Sequence, residues 1–301
     1  MKLTILGCHS ATPRINTNPT SQVLEIKNHM FLIDCGEGTQ VELRRNKVKF
    51  SRIKHIFISH LHGDHYFGLI GLINTFSLLT RETELHIYAP KGLKEVIILQ
   101  MKLSGGWTQY QLIFHELNSK QSKLIYEDDK VEVYTIPLKH RIYTNGFLFK
   151  EKENERKLDI NLVNEANIDM AYFRKLKQGF DVVNEYGVLI SNEKVTKDPI
   201  PAKSYAYCSD TVYNEDMVPI IEDATVLYHE STFLEKDEAR CKPTKHSTAK
   251  QAATIAKKAN VDTLILGHYS TRYNDYNLFK NEAKAVFENT VLSKDGKSFE
   301  F

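Results

Sequence analysis

The chain has 301 residues, 42% of them apolar and 26% charged, with a net charge of +2. That composition suits a soluble globular protein with room for a sizeable core; it excludes capture of nucleic acid by bulk charge alone without opposing a polyanionic substrate. No apolar run reaches the ~20 residues of a membrane span. The N-terminal "MKLTILGCHSATP" is too short in apolar residues for a signal peptide, and Cys8, Cys35, Cys208 and Cys241 form no CxxC pair, so a reduced, cytoplasmic protein is expected.

In chain order, "KLTILG", "SQVLEI", "MFLID" and "HIFISH" are short, β-branched runs that predict strands. "DHYFGLIGLINTFSLL" then predicts a helix, "ELHIYA" a strand, and "PKGLKEVIILQMKL" a helix with Pro90 in its first turn. Further strands are expected at "VEVYTIPL", "SYAYCSD", "TVLYHE" and "TLILGH", with the Ala-rich helix "STAKQAATIAKKAN" started by a Ser/Thr cap. Several strands are near-continuously apolar, as when both faces are buried. The mixture predicts an α/β protein of layered α+β type with helices covering sheets. Residues 150–203 differ: they are charged, less regular, and interrupt two strand-rich halves, which reads as an insertion or a substrate-contacting arm.

"FISHLHGDHYFGL" places His60, His62, Asp64 and His65 within six positions of a strand-to-helix loop. Imidazole with carboxylate suits a borderline divalent ion such as Zn2+. His60 and His62, two apart on an extended segment, point the same way; Asp64 and His65, after Gly63, face a second ion nearby. Three more residues close apolar runs in the same manner: His140 after "VEVYTIPLK", Asp210 after "SYAYCS" and His268 after "TLILG". Strand ends are where ligands gather in α/β folds. Asp210, with two carboxylate oxygens, is the natural bridge between two cations.

This HxHxDH pattern with its distant His, Asp and His resembles the metallo-β-lactamase superfamily. "FLIDCGEGTQ", "ISHLHGDHYFGL", "CSDT", "HESTF", "KHSTAKQAA" and "LGHYSTRY" narrow the resemblance to the ribonuclease Z family, over nearly the full chain. The resemblance implies an αββα sandwich spanning 1–301 with a tRNA-binding arm at 150–203. It implies two Zn2+ per chain, or another divalent ion such as Mn2+: one on His60, His62, His140 and Asp210, the other on Asp64, His65, Asp210 and His268. It also implies that Asp64 accepts a proton, that His246, oriented by Glu230, protonates the departing oxygen, and that Gly36, Gly38 and Thr39 shape a tight turn beside the metals. Precursor tRNA is the implied substrate and a homodimer the implied assembly, with no membrane partner. Two cations activate water and neutralise a phosphoryl group in such chemistry.

Two segments depart from the family. The arm keeps a basic stretch, "RKLKQG", whose Lys175 and Lys177 are candidate phosphate contacts, but "NIDMAYF" before it has no Gly or Pro. The N-terminal loop "SATPRINTNPTS" has Arg14 as its only charge. Arg272 in "STRY" is a candidate partner for an acid or a phosphate. Two rivals stay open at this stage: another hydrolase of the superfamily acting on a small phosphodiester or thioester, and an RNA-binding module without catalysis.

Overall fold

The computed structural model describes all residues 1–301 and divides them into two compact units, Met1–Lys150 with Ser204–Phe301, and Glu151–Lys203. Strands β1 (Lys2–Gly7), β2 (Ser21–Ile26), β3 (His29–Ile33), β4 (Ile53–Phe57), β5 (Leu85–Pro90) and β6 (Leu112–Leu117) form one sheet of the larger unit. The second sheet is built from β7 (Leu124–Glu127), β8 (Val131–Pro137) and β9 (Asn145–Glu151). The insertion contributes four two-residue strands, β10 (Lys157–Leu158), β11 (Val182–Val183), β12 (Leu189–Ile190) and β13 (Thr196–Lys197). The second sheet continues with β14 (Ser204–Cys208), β15 (Val226–Glu230), β16 (Thr263–Gly267) and β17 (Thr290–Leu292), and β18 (Ser298–Glu300) returns to β1. The two seven-stranded sheets run β18-β1-β2-β3-β4-β5-β6 and β17-β16-β15-β14-β9-β8-β7.

Alternation along the strands sorts residues between two cores. Phe31, Ile33 and Phe57 point inward, where Phe31 meets Phe149 at 5.3 Å and Phe57 meets Phe147 at 5.3 Å, ring centre to ring centre. Met30, Leu32 and Ile56 point the other way, onto three helices: α1 (Thr39–Arg45), α3 (Leu69–Leu78) and α4 (Leu93–Leu103). Between α1 and α3 lies the single turn α2 (Gly63–Tyr66). Burial of each such aromatic or aliphatic side chain stabilises the fold by about 1.5–3 kcal/mol. No helix is long and apolar enough to cross a membrane.

Two expectations about helices change. The helix read through "DHYFGLIGLINTFSLL" is broken at Phe67–Gly68 into α2 and α3. A Cβ on Gly68 would lie 2.1 Å from the carbonyl oxygen of Gly36, so the chain passes there only as glycine. Pro90 does not start a helix; it ends β5, and α4 begins at Leu93 after Gly92, whose φ is +103°. In contrast, α9 (Ala249–Lys258) starts where the sequence places it, with Thr248 and Gln251 forming a reciprocal capping box. The second sheet also carries α8 (Cys241–Thr244) and α10 (Asn277–Lys284) in its connections.

The insertion has its own small core of Val163, Ile168, Leu176, Val182 and Val195. It contains the short helices α5 (Ile160–Glu165), α6 (Phe173–Lys177) and α7 (Asn192–Val195). Leu176 of α6 points into that core while Lys175 and Lys177 on either side are exposed.

The inner face of β4 holds an unusual group. His55 stacks on His86 at 4.9 Å and packs on Tyr126 at 4.6 Å and Tyr88 at 6.1 Å; His86 in turn stacks on His115. Burial, followed by the charges of His86, His29, His115 and Lys54, pushes the His55 imidazole down to about 3. An unfolded histidine protonates near 6.5. As the pH falls from about 6.5 toward 3 the unfolded chain binds a proton that the folded chain refuses, and stability is lost. The loss attributable to His55 is about 2 kcal/mol at pH 5. Thermal unfolding of the protein and of His55→Phe between pH 7.5 and 5 checks this: the variant should fall less steeply, and parallel curves would refute the assignment.

Candidate metal centre

The larger unit brings all seven predicted ligands to one end of its two sheets. His60 and His62 follow β4, Asp64 and His65 sit in α2, His140 follows β8, Asp210 follows β14 and His268 follows β16. Two groups result. His60, His62, His140 and Asp210 place one ligand atom each within 4.8 Å of one another, and Asp64, His65 and His268 do the same.

The first group converges closely. His62 Nδ1 lies 3.0 Å from His60 Nε2 and 3.2 Å from His140 Nε2. Nitrogens on a tetrahedral ion with bonds of 2.0–2.1 Å are about 3.3 Å apart. Asp210 turns one oxygen to each group: Oδ2 is 3.5 Å from His60 Nε2 and 3.7 Å from His140 Nε2, while Oδ1 is 3.3 Å from His65 Nε2 and 3.1 Å from His268 Nε2. Asp64 Oδ2 stands 3.5 Å from His65 Nε2 and 3.7 Å from His268 Nε2.

Whether these groups fit cations is decided by where the ring protons go. Ser59 Oγ donates to Asp34 Oδ2 (2.8 Å), so it accepts from His60 Nδ1–H (3.0 Å). His65 Nδ1–H donates to Asp34 Oδ2 (2.7 Å), His140 Nδ1–H to the carbonyl of Lys245 (2.8 Å), and His268 Nδ1–H to Thr232 Oγ1 (2.9 Å). Thr232 Oγ1 is free to accept because it donates to Glu230 Oε2 at 2.6 Å. In all four rings a proton is therefore committed to Nδ1, and Nε2 is the atom left facing the carboxylates of Asp64 and Asp210. The Nε2 atoms of His65 and His268 are buried with no hydrogen-bond partner at all. An Nε2 lone pair beside carboxylates needs positive charge between them, and a divalent cation supplies it. The donor set fits metal.

The charges agree. Burial, then the neighbouring His65, holds the His60 imidazole well below the ordinary histidine range, so it is neutral and able to ligate. Burial opposes protonation of His65 too, but the carboxylates of Asp210, Asp64 and Asp34 outweigh it and draw positive charge to that ring. Burial would raise the Asp64 carboxyl, but His65 and His268 outweigh it and keep Asp64 ionised. The backbone is held against its preference here, with φ at +31° in Asp210 and +59° in His268.

Glu230 and His246 form a separate unit beside the ligands. Glu230 is fully buried, and its Oε1 accepts from His246 Nδ1–H (2.8 Å) and from the Thr211 amide (2.9 Å). The His246 ring stacks on His268 at 5.2 Å. Burial opposes its protonation, yet Glu230 raises the imidazole to about 9, so it carries a proton at neutral pH. Thr248, two residues on, caps α9, and the His246 ring turns to Glu230 instead. Every residue of "KHST" is engaged. Lys245, at φ +62°, offers its carbonyl to His140, and His246 meets Glu230. Ser247 Oγ bonds the Thr211 carbonyl (2.6 Å), and Thr248 starts α9.

A cleft of about 440 Å3 opens over both groups, lined by Ser10, Thr12, Arg141, Thr244 and Phe233 besides His246 and the candidate ligands other than the buried His60 and His65. Beneath it, Thr39 Oγ1 bonds the Gly36 carbonyl (2.7 Å), Gly38 has φ +81°, and a Cβ on Gly36 would lie 2.5 Å from the Asp64 carbonyl oxygen. The turn expected from "GEGTQ" thus presses on the metal loop. Arg272 is exposed and lies outside this cleft lining. Arg14 bonds the Tyr273 carbonyl (3.0 Å) and Asn274, tying the N-terminal loop to the "STRYN" segment. Lys175 and Lys177 belong to the other compact unit.

Asp34 escaped the sequence reading. Fully buried after β3 with φ +54°, its carboxylate collects the Ser59 amide (2.7 Å), Ser59 Oγ–H, His65 Nδ1–H and Tyr207 O–H (2.6 Å). It fixes the tautomer of His65 directly and that of His60 through Ser59. Its only signal was an acid closing the apolar run "FLID", the same placement as Asp210.

Known proteins share both the sequence and the fold. A family model described as "Anti-Pycsar protein Apyc1" matches residues 1–291. The ribonuclease Z of Bacteroides thetaiotaomicron is 46% identical over 98% of this chain and 93% of its own length; that of Bacteroides fragilis is 46% identical over 98% and 97%. The crystal structure of the short form of human tRNase Z superposes with a TM-score of 0.73 at 26% identity, covering 100% of this chain and 99% of that one.

Proposed function

Because the chain belongs to the ribonuclease Z family, we propose that it is a metal-dependent endoribonuclease that removes the 3′ trailer from precursor tRNA, leaving a 3′-hydroxyl on the tRNA and a 5′-phosphate on the trailer. The observation that carries the reading is the convergence of seven candidate ligand residues with the hydrogen-bonded Glu230–His246 pair at their side. Two Zn2+ ions, or Mn2+ in their place, would be held by His60, His62 and His140 on one side and Asp64, His65 and His268 on the other, with Asp210 between. When bound, they supply Lewis acidity toward the phosphoryl oxygens and make water a nucleophile at neutral pH. Asp64 takes a proton from the attacking water. His246, whose Nδ1 is committed to Glu230, keeps Nε2 for the leaving 3′ oxygen and hands it a proton.

The insertion, 151–203, serves as the tRNA-binding arm; its compactness and separate core support that role. The active assembly is a cytoplasmic homodimer, supported by the exposed Leu78, Leu99, Leu103 and Trp107 on and after the outer helices α3 and α4. A precursor-tRNA transcript should be cut by the protein as isolated, spared after chelation with dialysis, and cut again after Zn2+ or Mn2+ is returned. Cleavage that survives exhaustive chelation would end the metal-dependent reading.

A further inference from the structure

The connection from α1 to β4 reads "LRRNKVKFSRIK", residues 43–54, with six Lys or Arg and no acidic residue; the next carboxylate in the chain is Asp64. For a chain with a net charge of +2 this is a concentrated patch. Two of the six are neutralised: Arg45 pairs with Glu42, and Arg52 Nη1 with Glu25 at 2.8 Å. Arg44, Lys47 and Lys49 are exposed and form no ion pair; Arg44 lies over the Phe50 ring at 4.9 Å. These three line a cleft of about 680 Å3 whose floor is Phe50 and Phe76. A fourth cation stands under it. Arg81 is buried, and its guanidinium donates only to the carbonyls of Thr83, Ile53 and Glu84, so its charge meets no carboxylate. Glu82 is the one acidic residue in the lining.

The insertion shows the opposite balance. Residues 151–203 contain ten Asp or Glu against nine Lys or Arg. A surface that holds a nucleic acid by its phosphates must present unpaired cations; Arg44, Lys47 and Lys49 present three of them on one cleft at the end of α1, as Arg174, Lys175 and Lys177 do on α6 of the insertion. α1 also links that cluster to the catalytic cleft. Its first residue, Thr39, bonds Gly36 beside Asp64, and six residues later, about 9 Å along the helix, comes Arg45.

We infer that the cleft bounded by Arg44, Lys47 and Lys49 is a second RNA-backbone site, which grips phosphates of the precursor while the metal centre cuts it. The inference rests on the function proposed above. The phosphates come either from the trailer or from the tRNA body; both present the same chemistry.

The test compares Arg44→Ala/Lys47→Ala/Lys49→Ala with Lys175→Ala/Lys177→Ala, using equilibrium binding and cleavage of a precursor tRNA across salt concentrations. The triple variant should weaken binding about 10- to 100-fold near physiological salt and flatten the slope of log affinity against log salt by about 2, with kcat within about twofold. Lys47→Arg/Lys49→Arg should keep both affinity and slope, which separates charge from packing, and an unchanged thermal midpoint confirms that the triple variant folds. A defect that vanishes when the trailer is cut to one nucleotide assigns the phosphates to the trailer; one that persists assigns them to the tRNA body. Unchanged affinity and slope in a folded triple variant would overturn the site. Loss of binding in the triple variant, with no cleavage by the unmodified protein, would uphold the site and count against the proposed reaction.

Discussion

Asp210→Asn is expected to lower kcat/KM on precursor tRNA by at least about 10^3-fold and to reduce the metal retained per chain. Asparagine is the informative replacement. It keeps the volume, tolerates the positive φ of +31° that alanine would resist, and leaves an oxygen to accept from Ser209 Oγ. What it removes is the charge and the second oxygen. Only Asp210 addresses both ligand groups, Oδ2 toward His60 and His140 and Oδ1 toward His65 and His268. With an amide there, one group faces an N–H that has no lone pair to offer a cation. Metal analysis after gel filtration, beside single-turnover cleavage, measures both effects. Full metal retention with normal cleavage would show that Asp210 does not bridge.

His246→Ala should slow turnover by about 10^2–10^3-fold while KM changes less than about threefold, the behaviour of a group that acts mainly in the transition state. The leaving group gives the sharper version. A departing ribose oxygen is a poor leaving group and needs a proton; 4-nitrophenolate does not. The variant should therefore lose most of its activity on RNA and little on bis(4-nitrophenyl) phosphate. Glu230→Gln should follow in the same direction more weakly, because the amide can still orient the His246 ring but no longer favours its proton. Equal losses on both substrates would assign His246 to metal positioning, and a pure KM defect would assign it to binding.

The candidate ligands were legible because their side chains are chemically distinctive and the place of most is too: His60, His140, Asp210 and His268 closely follow apolar strand runs, and a strand end delivers a side chain to one edge of a sheet. His246 and Glu230 were legible as motif residues through the resemblance; that His246 Nδ1 and Glu230 Oε1 meet at 2.8 Å depends on β15 and the segment before α9 coming together in the fold. Asp34 was not legible. An acid after "FLI" reads as a turn residue, and its role depends on Tyr207 and His65, which come from distant parts of the chain. The break before α3 was hidden for the same reason: apolar periodicity continues through Gly68, but its amide bonds the Cys35 carbonyl of another segment at 2.9 Å in place of a helical partner. Pro90 satisfied a helix-start preference and a strand-end position equally well, and pairing of β5 with β6 through Leu117 decided for the strand. The basic run after α1 reads as an ordinary solvated face until the cleft beside it and the uncompensated Arg81 beneath it are in view.

In the proposed mechanism, the candidate metal site cuts precursor tRNA at the 3′ side of the tRNA with water, not a ribose hydroxyl, as the nucleophile. End mapping of a precursor transcript after incubation with the metal-loaded protein tests it most directly. One cut is expected, at the junction of tRNA and trailer, with a 3′-hydroxyl on the tRNA and a 5′-phosphate on the trailer. Cuts within the tRNA body, or a 2′,3′-cyclic phosphate at the new end, would contradict it.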